Sequence, residues 1–153
     1  MNTSGTIEII SRSPAQTRKI AADIINRRPG RIILALNGEL GSGKTCFVQG
    51  VAAALNCSRP VASPTFTLIN EYPGTRRLFH VDLYRLANHA EISGLGLEEM
   101  FDTQAAVVAI EWADKAGPFL PAETIRVDFS QGRTKNSRTI IIRDTAAGTV
   151  KPP

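Results

Sequence analysis

The stretch RIILALNGELGSGKTCFVQGVAAAL, residues 31–55, decides the fold of this chain. It begins with a nearly continuous apolar run at 31–37, which is typical of a central strand buried on both faces of a parallel sheet. A glycine-rich run follows at 38–45, and 45–55 has the composition of a helix. Strand, glycine loop and helix in this order predict a phosphate-binding loop.

The run 38–45 matches the pattern G-x-x-x-x-G-K-[ST], which a random chain of this length would match well under about 1% of the time. Glycines let the loop curl so that successive N–H groups point at phosphate oxygens, and the following helix adds its positive end. Lys44 supplies charge to the β- and γ-phosphates, and the Thr45 hydroxyl ligates Mg²⁺. The nucleotide-binding residues expected here are Gly38, Glu39, Leu40, Gly41, Ser42, Gly43, Lys44, Thr45 and Cys46.

Two carboxylates end other apolar segments. Glu111 follows the run AAVVAI at 105–110, and Asp82 ends LFHVD at 78–82. Ligands of open α/β sheets bind at the carboxyl ends of strands, and P-loop hydrolases place an acid there to reach Mg²⁺ or its water ligands. We therefore expect Lys44, Asp82 and Glu111 to carry catalysis. The residues alone leave open which carboxylate meets the metal, and a surface carboxylate that caps the next helix is the alternative for each.

The remaining segments predict a mixed sheet. A strand at 6–10 precedes a helix that starts with the cap Ser13 and Pro14 and runs to about Arg28. Further segments predict an antiparallel hairpin of strands 65–70 and 78–82, helical stretches within 91–101 broken near Gly94 and Gly96, and half-buried antiparallel strands at 125–129 and 139–143.

These elements define an α/β fold. We expect a P-loop NTPase three-layer fold with a mixed, largely parallel central sheet and antiparallel strands toward the C-terminus. At 153 residues the chain fits one domain, which we place at 1–145, with 146–153 as a frayed tail.

The composition limits the partners. The net charge of +4 lies wholly in residues 130–153, because residues 1–129 hold equal numbers of basic and acidic side chains. A solvated basic end is one interpretation, and contact with a phosphate backbone or an acidic partner is the other. No signal peptide or membrane span is recognisable, and neither a membrane nor a DNA partner is expected. Cys46, expected to pack as a small buried residue, and Cys57 suit a reducing cytoplasm.

Four segments read together are similar to the TsaE (YjeE) family, small ATPases of bacterial tRNA threonylcarbamoyladenosine synthesis. They are LNGELGSGKT at 36–45, VASPTFTLINEY at 61–72, FHVDLYR at 79–85 and AIEWADK at 109–115. The phosphate loop alone would name only the superfamily, whereas the other three segments are far more specific. The resemblance runs from about Ile7 to Arg143.

The resemblance implies roles for individual residues. Lys44 and Thr45 would bind phosphate and Mg²⁺, and Glu111 would be the Walker B-like acid at the metal, which makes Thr45 and Glu111 the metal residues. Asp82 falls on the functionally important aspartate of the DLYR motif. Ser63 and Thr65, on either side of a proline, fall in a switch-like loop near the γ-phosphate. From its residues alone, Ser-Pro-Thr is as readily an ordinary turn.

The resemblance also implies a mode of action with ATP and Mg²⁺ as cofactors. The family's ATPase does not itself modify the nucleoside, but serves a TsaD–TsaB pair in which TsaD transfers the threonylcarbamoyl group to an adenosine beside the anticodon. Contact with tRNA is then indirect or weak. Hydrolysis is expected to be slow alone and stimulated by partners, since an arginine finger is worth roughly 10³–10⁵ in rate.

Three other functions compete with this one. A small-molecule kinase would need an arginine-bearing lid, for which Arg76, Arg77 and Arg85 are the available cations. A GTPase switch would carry the guanine-reading motif N-K-x-D, which is absent, so adenine is the better guess. Direct tRNA binding would rest on the basic C-terminal end and weaken steeply with salt.

Two other residues attract attention. His80 is expected to be a hydrogen-bonded structural residue, and Trp112 is expected to pack in the fold rather than to stack on a base.

Overall fold

Strand β2 (Ile32–Asn37) lies at the centre of the sheet, and every residue but its last is buried. Strands β5 (Val107–Glu111) and β6 (Ile125–Gln131) flank it, and both run parallel to it. Alternate side chains of β2 enter two apolar clusters, one on each side of the sheet. The continuous apolar run therefore has the predicted cause, because a strand covered on both faces needs apolar residues at every position.

The computed structural model describes residues 5–144, so the expected tail at 146–153 lies outside the described residues. The other strands are β1 (Gly5–Ser11), β3 (Ile69–Tyr72), β4 (Leu78–Asp82) and β7 (Arg138–Asp144). The helices are α1 (Pro14–Arg27), α2 (Lys44–Ala54), α3 (His89–Ser93), α4 (Leu97–Asp102) and a 3₁₀ helix, Ala113–Phe119. The sheet order in this part of the chain is β1-β7-β6-β2-β5-β4-β3.

Helices cover both faces of the sheet and complete the three layers. Helices α1 and α2 pack against each other and against one face, while α3, α4 and the 3₁₀ helix cover the other. The start of α1 has the predicted chemistry. The Ser13 hydroxyl accepts a hydrogen bond from the Gln16 N–H at 3.1 Å, and the Gln16 side chain accepts one from the Arg12 N–H at 2.6 Å.

The predicted strand at 65–70 was wrong over 65–68. The Leu68 N–H donates to the Pro64 carbonyl at 2.6 Å, which closes a turn over 64–68, and Leu68 adopts a left-handed φ of 70°. Pairing with β4 begins only at Ile69. From there the predicted antiparallel hairpin is confirmed, and the predicted break near Gly94 and Gly96 separates α3 from α4.

The predicted fold class is confirmed, with one difference at β6. This strand is antiparallel to β7, as expected, but its other edge pairs in parallel with β2. The carboxyl ends of β2, β4, β5 and β6 consequently open at the same edge of the sheet. In residues 5–144 no helix has the length and apolar character that a membrane span requires.

Candidate functional site

The phosphate loop connects β2 to α2, and glycine is required at its first position. A Cβ on Gly38 would lie 2.6 Å from the Ser42 hydroxyl oxygen and 2.8 Å from the Phe129 carbonyl oxygen. Gly41 and Gly43 have φ angles of 74° and 111°, which favour glycine. The chain therefore curls back on itself beside β6 before α2 begins.

Lys44 begins helix α2 and is buried, with 4% of its surface exposed. Its ammonium group donates to the carbonyl oxygens of Gly38 and, at 3.0 Å, Glu39, and lies 4.1 Å from the centre of the Trp112 ring. Burial lowers the pKa of Lys44 from 10.5, and the charges of Glu111, Asp82 and Glu39 partly oppose this. A phosphate group bound in the loop would add negative charge directly beside this buried cation.

Glu111 lies at the carboxyl end of β5 and joins the loop to the sheet. Its carboxylate accepts a hydrogen bond from the Thr45 hydroxyl, with an oxygen–oxygen distance of 3.0 Å. The same Oε2 atom lies 2.5 Å from Nε2 of His80, which is fully buried in β4. The carboxylate is thus held from two sides, and the Thr45 hydroxyl keeps its lone pairs for another ligand.

Asp82 lies beside Glu111 because β4 and β5 are parallel and these two residues are register partners. Its Oδ2 accepts a hydrogen bond from the Thr65 hydroxyl at 2.9 Å, and its Oδ1 accepts one from the Tyr84 N–H at 2.8 Å. The Thr65 hydroxyl is also 2.9 Å from that of Ser63. Asp82 therefore anchors the segment that carries Ser63 and Thr65.

One cavity of about 280 Å³ brings these groups together. It is lined by Leu40, Gly41, Ser42, Gly43, Lys44, Thr45, Cys46, Ser63, Thr65, Asp82, Glu111 and Trp112. Of the residues expected at the nucleotide, Gly38 and Glu39 do not line it, and they contribute their carbonyls to Lys44 instead. Cys46 is half-buried rather than buried, its thiol donates to the Pro14 carbonyl at 3.4 Å, and both cysteines are free.

The residues present fit a nucleotide with Mg²⁺. The Ser42 hydroxyl is buried without a hydrogen-bond partner among the described residues, and it lies within the curl of the loop. The Thr45 hydroxyl and the Glu111 carboxylate are the oxygen donors that Mg²⁺ prefers. Residues 5–144 contain no cluster of three or more His, Cys, Asp or Glu side chains suited to a metal. Phosphate and water would have to complete the coordination, as is usual for Mg²⁺.

A sequence model described as "Threonylcarbamoyl adenosine biosynthesis protein TsaE" matches residues 11–140. The chain belongs to the TsaE family. Relatives named tRNA threonylcarbamoyladenosine biosynthesis protein TsaE support this assignment. The one from Nostoc is 45% identical over 107 residues, which cover 67% of this chain and 64% of that protein. The one from Bacillus subtilis is 41% identical over 117 residues, covering 75% of this chain and 72% of that protein.

A solved structure extends the TsaE comparison to the fold. The chain is similar to the crystal structure of Bacillus subtilis YdiB, with a TM-score of 0.78 and 29% sequence identity. The similarity covers 95% of this chain and 89% of that one.

Two residues of this TsaE site play larger parts than their sequence suggested. His80 is the expected hydrogen-bonded residue, but its partner is Glu111, so it orients a site carboxylate. Trp112 lines the cavity under Lys44, and its φ of 58° turns the chain sharply after β5. The only sequence signal for either is its place beside the end of a buried strand, where side chains meet ligands.

The three arginines considered for a kinase lid are dispersed. Arg76 donates to carbonyls of Ile25, Arg28 and Gly30, and Arg77 pairs with Glu71. Both arginines precede β4, at the amino ends of the parallel strands. Arg85 is on the cavity side, where it donates to the Phe66 carbonyl at 3.3 Å.

Proposed function

We propose that this chain is a Mg²⁺-dependent ATPase that acts in the cytoplasm as an accessory component of a TsaB–TsaD complex, which makes N6-threonylcarbamoyladenosine in tRNA. The observation that carries the proposal is the convergence of Lys44, Thr45, Glu111 and Asp82 on one cavity at the phosphate loop. Lys44 is a cation that can bind phosphate, Thr45 and Glu111 are oxygen donors for a metal, and Asp82 is a further carboxylate. Hydrolysis of a nucleoside triphosphate requires groups of these kinds.

We assign the two carboxylates different roles from their hydrogen-bond partners. Glu111 contacts the Thr45 hydroxyl, so we assign it to the metal. Asp82 contacts Thr65 of the switch-like segment, so we assign it to orienting the attacking water. Lys44 would stabilise charge on the transferred phosphoryl group. When bound, Mg²⁺ neutralises charge on the phosphate oxygens and polarises them.

Exposed apolar side chains around the cavity support activation by a partner protein. Leu40, Phe66 and Tyr84 are 71%, 83% and 43% exposed, and they come from the phosphate loop, the segment after Thr65 and the turn after Asp82. Exposed apolar groups grouped around a site favour a protein interface. A partner seated there would exclude water and bring a positive charge to the phosphates.

The contacts of the arginines favour hydrolysis over phosphoryl transfer to a small molecule. A kinase lid would draw several arginines over the phosphates, whereas Arg76 and Arg77 lie at the opposite edge of the sheet. The sequence contains no N-K-x-D motif, which a guanine-specific switch would use to recognise its base. We therefore propose ATP as the substrate.

Phosphate release from ATP and GTP tests this function. The protein is assayed with Mg²⁺ or with EDTA, alone and with TsaD, TsaB and unmodified tRNA. We expect slow, Mg²⁺-dependent release from ATP that rises with the partners. Lys44→Ala is expected to lower it about 100-fold, since the lysine stabilises transition-state charge.

Lys19→Ala is the matched control, because Lys19 is an exposed lysine paired with Asp23 on α1. Its hydrolysis should equal that of the unaltered protein. Transfer of phosphate to an added metabolite, an equal rate with GTP, or no hydrolysis under any condition would contradict the proposal.

A further inference from the structure

We infer that Arg138, the first residue of β7, is a positioning residue of the phosphate loop. Its Nη2 donates to the carbonyl oxygen of Gly41 at 3.2 Å, across 97 residues of sequence. The inference rests on the proposed nucleotide site, and it adds a residue that the phosphate-loop motif does not contain.

The hairpin between β6 and β7 holds Arg138 in place. Its turn is closed by hydrogen bonds from the Gly132 N–H to the Ser137 carbonyl at 2.9 Å and from the Thr134 N–H to the Ser137 hydroxyl at 3.0 Å. Nη1 of Arg138 donates to the carbonyls of Lys135 and Ser137, both at 2.9 Å. With one nitrogen held by its own turn, the guanidinium presents the other to the phosphate loop.

The turn has little freedom to move Arg138 elsewhere. A Cβ on Gly132 would lie 2.1 Å from the Ser137 hydroxyl oxygen, so the two sides of the turn are in close contact. β6 is also paired with β2, the strand that leads into the phosphate loop. The phosphate loop and the β6–β7 hairpin therefore extend from the neighbouring strands β2 and β6, whose pairing fixes the distance between them.

The contact has a direct consequence for phosphate binding. A phosphate loop works by turning N–H groups inward, so its carbonyls must turn outward. Lys44 donates hydrogen bonds to the carbonyls of Gly38 and Glu39, and Arg138 donates one to the carbonyl of Gly41. The Gly41 carbonyl and the Ser42 N–H share one peptide plane, and a hydrogen bond holds each end of it: Arg138 donates to the carbonyl, and the N–H donates to the Glu39 carbonyl at 3.1 Å. Arg138 therefore keeps this plane in the orientation of the closed loop. Gly41 itself is exposed and unconfined, since a Cβ there would meet nothing within 4 Å.

This role differs from that of an arginine finger. A finger acts on the γ-phosphate and affects hydrolysis, whereas Arg138 acts through the loop that holds the β-phosphate. Loss of Arg138 should therefore weaken ADP and ATP by the same factor. A charge-assisted hydrogen bond at a partly exposed position corresponds to about a five- to tenfold change in affinity.

The test compares Arg138→Ala with Arg133→Ala, an exposed arginine of the same turn, by titration with ADP and with a non-hydrolysable ATP analogue. We expect Arg138→Ala to lose about five- to tenfold for both ligands and to show faster amide hydrogen exchange at 41–43 without nucleotide. Arg133→Ala should match the unaltered protein in both measurements. Circular dichroism and thermal unfolding report whether each variant is folded.

Unchanged ADP affinity and unchanged amide exchange in a folded Arg138→Ala protein would overturn the inference. If phosphate release from ATP were lost while nucleotide affinity stayed the same, Arg138 would be an arginine finger instead. Should the alanine variant not fold, Arg138→Lys keeps the charge but cannot bridge both sets of carbonyls. Affinity at the unaltered level in that variant also overturns the inference. If the unaltered protein binds no nucleotide, the proposed function fails, and the exchange measurement still tests the Arg138 contact.

Discussion

The two walls of the cavity are built in different ways. On one side the phosphate loop is held by the close approach of Gly38 to Ser42 and Phe129, and by hydrogen bonds that Lys44 and Arg138 donate to its carbonyls. On the other side, backbone hydrogen bonds hold only the end of the segment 61–68, at Leu68, and the part with Ser63 and Thr65 is held to the sheet by the hydrogen bond from Thr65 to Asp82. Phe66, in the middle of that segment, is 83% exposed.

The difference suggests a division between a fixed and an adjustable wall. A loop fixed by close packing and by hydrogen bonds to its carbonyls is pre-formed for phosphate, which lowers the ordering cost of binding. A segment joined to the carboxylates by a few hydroxyl contacts can be rearranged by whatever meets Asp82 or Phe66, because each such hydrogen bond contributes only about 0.5–1.5 kcal/mol. Substitutions on the first wall should therefore affect fold and binding together, and those on the second should affect turnover.

The largest effect is expected on the fixed wall. Gly38→Ala would drive a methyl group to within 2.6 Å of the Ser42 hydroxyl and 2.8 Å of the Phe129 carbonyl. We expect the free energy of unfolding to fall by about 3 kcal/mol and ADP binding to be lost. Denaturant unfolding and calorimetry measure the two. Gly41→Ala, which meets nothing within 4 Å but keeps a positive φ, should cost about 1 kcal/mol. Equal losses in both variants would contradict the steric argument.

An intermediate effect is expected on the adjustable wall. Thr65→Val removes the hydroxyl that contacts Asp82 and keeps the shape of the side chain. We expect the rate of ATP hydrolysis to fall about tenfold with ADP affinity unchanged, because the phosphate loop is untouched. Thr67→Val in the same turn is the control, since Thr67 contacts Asn70 instead. A loss of ADP affinity in Thr65→Val would show that the walls are not separable.

The smallest effect concerns pH. Burial lowers the pKa of Lys44, and phosphate binds its ammonium form. ADP affinity should thus be complete below the pKa of Lys44 in the nucleotide-free protein and decline as pH rises through it, beginning below 10.5. Titration calorimetry across this range measures the decline. Lys44→Arg keeps its charge throughout. A decline of equal size in that variant would assign the effect to another group.

The fixed wall was predictable from sequence because its parts are contiguous. The glycine spacing, the buried strand before it and the helix after it all lie within residues 31–55. The convergence of Asp82 and Glu111 was also predictable in outline, since both end apolar segments and parallel strands share an edge. The residues alone left open which carboxylate meets the metal, and the resemblance gave that part to Glu111. The proposed division into metal and water roles depends on the contacts of Thr45 and Thr65.

Other features depend on tertiary geometry that no local pattern records. The segment TFTLIN at 65–70 has the composition of a strand, but the Leu68 N–H donates to the Pro64 carbonyl and closes a turn before pairing begins at Ile69. The parallel edge of β6 was missed because its alternating pattern is that of an antiparallel strand. Arg138 reaches Gly41 only through the register of two strand pairings, and register cannot be read from one sequence.

The position of Trp112 gives the site a built-in optical label. The chain contains a single tryptophan, and its ring lies 4.1 Å from the Lys44 ammonium and 4.9 Å, centre to centre, from the Tyr84 ring. Its ultraviolet emission therefore originates at the floor of the cavity and nowhere else in the molecule. A change in the position of Lys44 or Tyr84 alters the surroundings of this one fluorophore, so events at the cavity can be followed in the unlabelled protein in real time.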